Sequence, residues 1–585
     1  MLRATRRRSA EERARTEDRG RSVARRQRHQ SGTLAEVLER SSALYGAKPA
    51  YRMAHSHGVA FTYGDVHAVA GQLAGFLKAK GVSPQQKVCI YAHNRPEWPM
   101  AFWGIVLCGA VVVPIDPNSG AAEISHVLRD TGAQWIFTES SLARNLDGAY
   151  RRKLILIDGD AGKGPGPCSL SSIIAGRKGK PPALEMAPDS PAMIIYTSGT
   201  TSQPKGVILS SRSILAGLHG MCELLPLSHR DRFLSTITLS HTFEILSGLV
   251  MPYMVGASVI YAEDLKYTTI FRSMREFQPT VMLGVPLVFK MLLENAIRKV
   301  TGIRAQSLRE TSAFGPVPGA IRSRAHRMFG GAVRFLVSGG APLAPSITEG
   351  YRELGIPLLQ VYGLTETSGP ATLTPPAGFP AGSAGMALPG VDIRIHHPNE
   401  GGIGEICIRG PHLMTGYHNN VEATREVVRD GWLHTGDLGC IDRQGNLFIT
   451  GRSKNVIVTA AGVNVYPEEI EQRLIKSPFI REACVVGKQR PDRTETVCAA
   501  VVVDRAFLQS FVRAQRKQGK EPPALAEIIW REIQARTADL ARFKRVHGLQ
   551  IRSRKLPRGR TNKVLVGQVQ RELAVLAEAA YGGYG

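Results

Sequence analysis

Cysteine is scarce in this chain of 585 residues, and its eight copies are scattered between Cys89 and Cys498 without a C-x-x-C pair. This usage argues against a disulfide framework and is typical of reduced thiols in a cytosolic protein. The chain also lacks a recognisable Ser-His-Asp or Cys-His arrangement. The sequence therefore offers no evident nucleophilic side chain for covalent catalysis.

Long uninterrupted apolar runs are also missing. Two stretches, residues 98–115 and 245–262, are apolar enough to imitate a membrane span, but both contain proline and glycine. A buried helix, a turn and a strand fit such a stretch better than one continuous span. The arginine-rich N-terminus has no apolar core of a signal peptide. We therefore predict a cytoplasmic protein with no transmembrane segment.

Acidic residues are outnumbered: 49 Asp and Glu face 74 Lys and Arg, which gives a formal net charge of +25. The first 30 residues hold eleven arginines and four acidic residues, and we predict that residues 1–31 form a disordered basic arm. Nucleic-acid binding is one hypothesis for such charge. The absence of an evident zinc finger, RRM core or helix-turn-helix disfavours it. A basic surface also suits ATP, coenzyme A and peripheral contact with an anionic membrane.

One stretch stands out by its pattern, because a hydroxyl-rich and glycine-rich loop separates two apolar runs, 193–196 and 207–209. Small residues let the backbone approach a polyanion, and N–H and hydroxyl groups donate to phosphate oxygens. The predicted phosphate ligands are Thr197, Ser198, Gly199, Thr200, Thr201 and Lys205. The spacing is not that of a Walker A motif, in which the lysine follows the second glycine. A Ser/Thr-rich surface turn without a ligand is the alternative.

The longer string, YTSGTTSQPKGV from Tyr196 to Val207, resembles the signature Y-T-S-G-[ST]-T-G-x-P-K-G-V of adenylate-forming enzymes. This superfamily includes acyl-CoA synthetases, firefly luciferase and adenylation domains. The match departs at Ser202, where the family has glycine. If that position requires a positive φ, serine costs about 1–2 kcal/mol there.

Further motifs follow in the order of the superfamily. The resemblance implies nucleotide contacts for Gly340, Ala341, Pro342, Tyr362, Gly363, Asp437 and Arg452. Tyr362 would stack on adenine, whereas Asp437 and Arg452 would meet the ribose. The implied catalytic residues are Thr365 on phosphate, Glu366 on Mg²⁺, and Lys563 in a C-terminal motif where Asn562 replaces the family's glycine. Tight glycine turns without a ligand are the alternative for the isolated pieces.

The resemblance also implies an acyl pocket. The segment LSHTFE, residues 239–244, corresponds to the pocket lining, so His241 and Phe243 are expected there together with Gly339 and Gly363. Glu244 is alternatively a buried, paired carboxylate. The segment 278–289 resembles P-T-x-x-x-x-V-P-R-V-F of fatty acyl-CoA synthetases, with Leu287 in place of the arginine. These features are most similar to medium- and long-chain fatty acid–CoA ligases.

Helical and strand patterns alternate from Thr33 onward, beginning with a predicted helix over 34–45 and including a predicted strand over 87–91. Such repeated βα units predict a largely parallel sheet covered by helices. The predicted fold is α/β, with a large N-terminal domain of helix-covered β-sheets and a small mobile α+β C-terminal domain. Its predicted segments are the arm 1–31, an AMP-binding domain 32–453, a C-terminal domain 454–575 with a hinge at Lys454, and a tail 576–585. Residues 160–180, rich in glycine and proline, are predicted to be a surface loop.

The resemblance implies a reaction in two steps. A carboxylate attacks the α-phosphorus of ATP to give acyl-AMP and pyrophosphate, and the thiol of coenzyme A then releases AMP. Mg²⁺ is the expected cofactor, and a fatty acid, ATP and coenzyme A are the expected substrates. The alternatives are an aryl-CoA ligase, an acyl-AMP ligase that loads a carrier protein, and a protein without catalysis, either a nucleic-acid binder or an inactive nucleotide sensor.

Overall fold

The computed structural model describes residues 32–54, 60–159, 167–175, 186–197, 204–301, 318–376, 378–459, 464–489, 495–558 and 564–575. These residues form two compact units. The first unit takes the described residues of 1–296, 317–393 and 408–433, and the second takes those of 297–316, 394–407 and 434–585. The domain boundary at residue 454 stays a prediction.

The strands, in chain order, are β1 (Pro49–Met53), β2 (Phe61–Thr62), β3 (Lys87–Tyr91), β4 (Val111–Ile115), β5 (Trp135–Thr138), β6 (Leu154–Leu156), β7 (Cys168–Ser169), β8 (Pro191–Thr197), β9 (Lys205–Ser210), β10 (Arg232–Ser235), β11 (Ser258–Tyr261), β12 (Val281–Gly284), β13 (Phe335–Ser338) and β14 (Leu358–Leu364). They continue with β15 (Gly369–Leu373), β16 (Met386–Ala387), β17 (Asp392–His396), β18 (Gly404–Arg409), β19 (Gly416–Tyr417), β20 (Val428–Arg429), β21 (Trp432–Ile441), β22 (Leu447–Arg452), β23 (Ile457–Val458), β24 (Asn464–Val465), β25 (Ile480–Gln489), β26 (Glu495–Val503) and β27 (Gly548–Arg552).

The α-helices are α1 (Leu34–Tyr45), α2 (Tyr63–Ala79), α3 (Glu97–Leu107), α4 (Ala121–Thr131), α5 (Ser140–Ala143), α6 (Leu170–Ala175), α7 (Ser211–Leu224), α8 (Thr242–Glu244), α9 (Met251–Val255), α10 (Tyr267–Phe277), α11 (Pro286–Thr301), α12 (Gly319–Met328), α13 (Pro345–Glu353), α14 (Val421–Val427), α15 (Pro467–Leu474), α16 (Arg505–Lys517), α17 (Leu525–Thr537) and α18 (Val566–Val575). A π-helical turn, Ile245–Val250, joins α8 to α9, and 3₁₀ turns cover Gly148–Lys153, Thr365–Thr367, Ser453–Asn455 and Arg542–Lys544.

Two large sheets build the first unit. One has nine strands in the order β16-β15-β14-β13-β12-β10-β11-β1-β2, and the other has eight in the order β19-β9-β8-β4-β3-β5-β6-β7. Their central strands run parallel, as in the pairs β3–β4 and β12–β13. All five residues of β4 are buried, because helices cover both faces of a parallel sheet and its strands can be apolar throughout. The predicted helix-covered α/β architecture is therefore confirmed.

Local sequence signals define where the helices of this unit begin. The side chain of Thr33 accepts a hydrogen bond from the backbone N–H of Glu36 at the start of α1. At the start of α2, Thr62 and Asp65 form a reciprocal capping box. Each cap satisfies backbone donors that a helix otherwise leaves without a partner in its first turn.

The two long apolar runs fold as a helix, a turn and a strand, as predicted. The run 98–115 consists of α3, which buries Trp98 and Trp103, followed by β4. The run 245–262 consists of the π-helical turn, α9 and β11. Among the residues that the structure describes, no helix is both long enough and apolar enough to cross a membrane.

The predicted surface loop at 160–180 is wrong for the part that the structure describes. Residues Cys168–Ser169 form β7, which pairs in parallel with β6 at the edge of the eight-stranded sheet. Helix α6 follows and buries Leu170 and Ile173. The reason is local: two apolar residues three positions apart lie on one face of a helical turn and pack into the core. The surrounding glycines and prolines obscured that spacing in the sequence.

The second unit has a three-stranded sheet in the order β25-β26-β27, in which β25–β26 is antiparallel and β26–β27 is parallel. Helices α15 and α17 bury Ile470, Leu474, Ile529 and Ile533 in its core. Antiparallel and parallel pairs together, with helices packed against the sheet, give the α+β character that the sequence predicted for the C-terminal part.

A buried carboxylate in this unit makes its stability depend on pH. Glu471 on α15 accepts a hydrogen bond from the N–H of Val485 at 2.7 Å, and burial raises its pKa to about 8. The unfolded chain has a glutamate pKa of about 4.3. Because the folded state binds the proton more tightly, the contribution of Glu471 to stability is greatest below about pH 4.3 and falls until about pH 8.

We therefore expect Glu471→Gln to flatten this fall, because the amide oxygen still accepts from Val485 but carries no charge. The measurement is the urea-unfolding midpoint of the C-terminal unit at several pH values between about 5 and 9. The control, Glu469→Gln on the same helix, removes a partly exposed ion pair with Lys544. It should keep the pH trend of the wild type. An unchanged slope in Glu471→Gln would contradict the assignment.

Candidate nucleotide and acyl site

The hairpin of β8 and β9 carries the ends of the predicted phosphate loop. The strands are antiparallel, with Tyr196 opposite Gly206 and Thr197 opposite Lys205. Ser198, Gly199, Thr200, Thr201 and Ser202 lie outside the described residues. Of the predicted phosphate ligands, the structure thus places Thr197 and Lys205, on facing positions where the two strands adjoin the segment that connects them.

Gly206 allows a close approach between β9 and a later segment of the chain. A Cβ at this position would lie 2.9 Å from Cγ2 of Ile194 and 3.2 Å from Cβ of His418. The backbone N–H of His418 donates to the carbonyl of Gly206 at 2.7 Å. This contact continues the pairing of β19 with β9 and brings Tyr417 opposite Val207.

Tyr417 joins two predicted site residues that are distant in sequence. Its hydroxyl donates to Oε1 of Glu366 at 2.8 Å, and Nζ of Lys205 lies 5.1 Å from the centroid of its ring. Burial, and then the neighbouring charge of Glu366, raise the pKa of Tyr417 far above its usual value, so its hydroxyl stays a donor. A cation and a carboxylate are thereby held on one aromatic side chain.

The turn that carries Thr365 and Glu366 is tightly constrained. It is a single 3₁₀ turn that begins where β14 ends, and Oγ1 of Thr367 accepts from the N–H of Leu364 at 2.8 Å. Ser368 then takes a left-handed conformation with φ 46°. Oγ1 of Thr242 donates to Oγ1 of Thr365 at 3.0 Å. The turn therefore presents Thr365 beside the segment predicted to line the acyl pocket.

Two of the predicted acyl-pocket residues, Phe243 and Gly339, lie close together. The ring of Phe243 lies 3.0 Å from the place where a Cβ of Gly339 would stand. A Cβ at Gly363 would lie 2.1 Å from the carbonyl oxygen of Gly369, so that position needs glycine. His241 is partly exposed, and its Nε2 lies 3.8 Å from Oδ2 of Asp116.

Glu244, the next acidic residue in this segment, is fully buried. Burial raises its pKa to about 8, and the hydroxyl of Ser235 partly offsets this shift. The carboxylate has no salt-bridge partner among the described residues. The alternative of a buried, paired carboxylate is therefore right about the burial of Glu244 and wrong about a salt-bridge partner.

The predicted adenine contacts lie on one strand and just beyond the end of its neighbour. Gly340, two positions after the last residue of β13, has φ +79°, a left-handed conformation that glycine adopts at little cost. Ala341 is partly exposed and Pro342 is exposed beyond it. Tyr362 lies on β14, which pairs in parallel with β13, and its side chain is largely buried.

The second unit contains the predicted ribose contacts as a pair. Asp437 on β21 stands opposite Arg452 on β22, and Nε of Arg452 lies 2.8 Å from Oδ1 of Asp437. The carboxylate is buried, whereas the guanidinium is half exposed. The N–H of Asp437 donates to Oγ1 of Thr435, which itself donates to the carbonyl of Ile406. The turn therefore fixes a carboxylate acceptor beside an exposed fork of donors.

Two parts of the chain match the models of a known protein family and its C-terminal domain. Residues 38–418 match the family described as AMP-binding enzyme, and residues 469–563 match its C-terminal domain. The chain belongs to the AMP-binding enzyme family. The predicted membership of the adenylate-forming superfamily, on the acyl-CoA synthetase side, is thus confirmed.

Relatives of this AMP-binding enzyme carry different substrate names. It is similar to the long-chain-fatty-acid–CoA ligase FadD15 of Mycobacterium bovis, with 32% identity over 77% of this chain and 80% of that protein. It is also similar to the indoleacetate–CoA ligase of Aromatoleum aromaticum, with 30% identity over 80% of this chain and 88% of that protein.

The fold of a solved structure titled Mycobacterium tuberculosis fatty acyl CoA synthetase covers 93% of this AMP-binding enzyme and 99% of that chain. The TM-score is 0.66 at 25% sequence identity. This likeness agrees with the helix-covered sheets and the smaller α+β unit described above. The predicted fold class is confirmed.

A magnesium ion is expected for an ATP-dependent member of this family, and the carboxylate of Glu366 fits one. Mg²⁺ prefers oxygen ligands and is usually held by one or two carboxylates together with phosphate oxygens and water. Tyr417 engages Oε1 of Glu366, so Oε2 is the atom that we expect to face a cation.

Two further residues, Tyr417 and Thr242, were not predicted from the sequence, although they contact Glu366 and Thr365 directly. The dipeptide Gly416-Tyr417 carries no chemical signal of its own, and only its pairing with β9 reveals its place. Lys563 lies outside the described residues. Lys454 is exposed, in the 3₁₀ turn Ser453–Asn455 that follows Arg452.

Proposed function

We propose that this AMP-binding enzyme activates a fatty acid with ATP to acyl-AMP and pyrophosphate, and then forms acyl-CoA and AMP. Family membership and the acid–CoA ligases among the relatives support the coarser statement, which is AMP-forming ligation of a carboxylic acid to coenzyme A. The fatty acid is the finer part of the proposal.

The observation that carries the proposal is the group of Lys205, Tyr417 and Glu366, in which Lys205 is the first residue of β9. Attack of a carboxylate on a triphosphate brings two anions together, so the first step needs fixed positive charge. Lys205 supplies one such charge, and its ring contact with Tyr417 restricts where the ammonium lies. Glu366 by itself would repel a phosphate, and it makes sense there as a ligand of a bridging cation.

Other residues of the site have separate expected roles in binding the nucleotide and the metal ion. Thr365 has a hydroxyl for a phosphate oxygen, and Thr242 orients it through the 3.0 Å hydrogen bond. Mg²⁺, when bound, would neutralise the charge that develops on the phosphate oxygens. Asp437 would accept from the ribose hydroxyls, with Arg452 beside it. Lys563, by resemblance, would stabilise the α-phosphate while pyrophosphate leaves.

Apolar character near the acyl segment favours a fatty acid. Phe243, in the segment predicted to line the acyl pocket, packs at Gly339. An aryl acid is the second candidate, because a relative of similar identity is an indoleacetate–CoA ligase. A flat aromatic acid would also fit against Phe243.

The deciding experiment is ATP–pyrophosphate exchange with purified enzyme and a panel of acids. The panel contains saturated fatty acids of increasing length, benzoate and indoleacetate. We expect exchange to require a fatty acid and to peak at medium or long chains. Exchange with aryl acids alone would replace the fatty acid by the second candidate. The absence of exchange with every acid would favour a nucleotide sensor. A second assay, which measures thioester formation with coenzyme A and with a carrier protein, identifies the acceptor of the acyl group.

A substitution at Gly339 tests the acyl pocket. A Cβ there would lie 2.8 Å from Cγ2 of Val361 and 3.0 Å from the Phe243 ring, so Gly339→Ala must shift the Val361 side chain, the ring or both. We expect the optimum of the chain-length profile to shift to shorter acids, with a loss of roughly tenfold in kcat/KM for the longest good substrate. Adding Phe243→Leu should restore the long-chain activity. A uniform loss across all lengths, without rescue, would remove Gly339 from the pocket.

We propose that the basic arm, residues 1–31, contributes to contact with an anionic membrane and is dispensable for catalysis. Residues 1–28 are rich in arginine and poor in apolar residues. A variant that starts near Ser31 is expected to keep full activity in solution and to bind less to vesicles that contain anionic lipid. Loss of activity in solution would contradict the first expectation. Unchanged vesicle binding would contradict the proposal that the arm places a cytoplasmic enzyme in peripheral contact with a membrane.

A further inference from the structure

Three side chains with metal-ligating atoms meet in the second unit. Glu405 and Cys407 lie two positions apart on β18, so both point to the same face of the strand. His434 lies near the start of β21. One ligand atom from each residue lies within 4.8 Å of the other two. A carboxylate, a thiol and an imidazole form a donor set that is typical of zinc.

The spacing of these atoms is close to that of a tetrahedral site. Sγ of Cys407 lies 3.4 Å from Nδ1 of His434, and Oε2 of Glu405 lies 2.8 Å from the same nitrogen. Zinc bonds of about 2.0–2.3 Å at tetrahedral angles place ligand atoms roughly 3.3–3.8 Å apart. The sulfur–nitrogen distance therefore already fits, and the oxygen–nitrogen distance must open by about half an ångström. A rotation of the Glu405 side chain, which is 27% exposed, provides that.

The burial of the three groups suits a bound cation. Cys407 is fully buried, and the side chain of His434 is 10% exposed, so solvent reaches the cluster mainly past Glu405. A buried thiol resists ionisation unless a cation compensates its charge. A divalent ion at the point where the three atoms converge would supply that compensation.

Two more histidines stand beside the cluster. The ring of His396 meets the ring of His434 edge-on at 5.1 Å, and His397 lies 3.9 Å from His396. An imidazole nitrogen is a common ligand of zinc. The fourth position is therefore assigned to His396 or to water.

The cluster also has an ordinary structural role, which a cation leaves intact. Oε1 of Glu405 accepts from the N–H of Gly436 at 3.0 Å, whereas Oε2 faces His434. A cation between Oε2, Sγ and Nδ1 replaces the proton in the His434 contacts and spares the bond to Gly436.

We propose that Glu405, Cys407 and His434 form a site for Zn²⁺, with His396 or water as the fourth ligand. Binding forms one bond each to Oε2, Sγ and Nδ1. The thiol releases its proton to solvent, and the neutral imidazole carries its remaining proton on Nε2. Because Gly436 precedes Asp437, an occupied site would also stiffen the predicted ribose-binding turn. That consequence rests on the proposed function, whereas the binding itself does not.

The test uses the full chain, treated with a chelator and then titrated with Co²⁺, which reports thiolate coordination by a charge-transfer absorption band. We expect the band to saturate at one equivalent of Co²⁺ and to disappear when Zn²⁺ is added. Cys407→Ser should abolish the band, and His434→Gln and Glu405→Gln should weaken binding by roughly 10–100-fold. The matched control is Cys440→Ser, a partly buried thiol on the same strand as His434, which should leave the band unchanged.

The proposal is overturned if stoichiometric Co²⁺ gives no thiolate band, or if Cys407→Ser keeps the band. Each variant is first compared with the wild type in thermal unfolding, and Cys407→Ala replaces Cys407→Ser if the buried hydroxyl impairs folding. ATP–pyrophosphate exchange is measured separately. A thiolate band without exchange would support the metal site and reject the proposed function, and exchange without a band would do the reverse.

Discussion

Glu366→Gln is expected to slow fatty-acid-dependent ATP–pyrophosphate exchange by roughly a hundredfold, or about 2.7 kcal/mol in the activation barrier. The variant should also need a higher Mg²⁺ concentration for half-maximal exchange. The glutamine keeps the shape and the hydrogen bond from Tyr417. It removes one anionic ligand from a cation that otherwise depends on phosphate and water. The measurement is a magnesium titration at saturating ATP.

Tyr417→Phe is the matched companion variant. It removes the hydroxyl that holds Oε1 of Glu366 but keeps the ring that Lys205 faces. We expect a smaller loss, roughly tenfold, because the carboxylate remains and only its orientation is released. Equal losses in both variants would indicate that the hydrogen bond, and not the charge, matters. A magnesium titration of Glu366→Gln that coincides with that of the wild type would exclude Glu366 as a metal ligand.

The part of the candidate site that could be predicted from the sequence is the part that is continuous in the chain. Thr365 and Glu366 fall in one motif, and Asp437 falls in another. Tyr417 was missed because it reaches Glu366, 51 positions earlier, only through the pairing of β19 with β9. Thr242 was missed for a related reason, since its hydrogen bond to Thr365 spans 123 positions. Contacts across a sheet depend on register, which one sequence does not reveal.

The helices and strands that could be predicted were likewise those with a clear local sequence signal. Helix α1 and strand β3 were predicted with the observed ends, because their apolar spacing and flanking turn residues agree. Helix α16 was not predicted, because its apolar residues Phe507, Leu508 and Phe511 are embedded in a strongly basic stretch. The many basic residues obscured this apolar spacing in the sequence, although an amphipathic helix tolerates basic residues on its solvent face.

The largest effect on the second half-reaction is expected at the proposed hinge. In the proposed reaction, one active site would hold ATP with Lys563 in the first step and admit coenzyme A to the same carbon in the second. The resemblance to the superfamily implies that the C-terminal domain would rotate about Lys454 between the two steps. Such a hinge works through φ and ψ changes at one or two residues. Proline fixes φ near −65° and also restricts the residue before it.

Lys454→Pro is therefore expected to release pyrophosphate in a first turnover, accumulate bound acyl-AMP and lose acyl-CoA formation by roughly a hundredfold or more. Lys454 lies in a 3₁₀ turn, whose φ range of about −50° to −70° includes the proline value. Single-turnover assays with labelled fatty acid separate the two steps. Lys454→Ala, which removes the charge but leaves φ free, is the control and should retain both. If Lys454→Pro forms acyl-CoA at the wild-type rate, the joint lies at another residue or the two steps share one conformation.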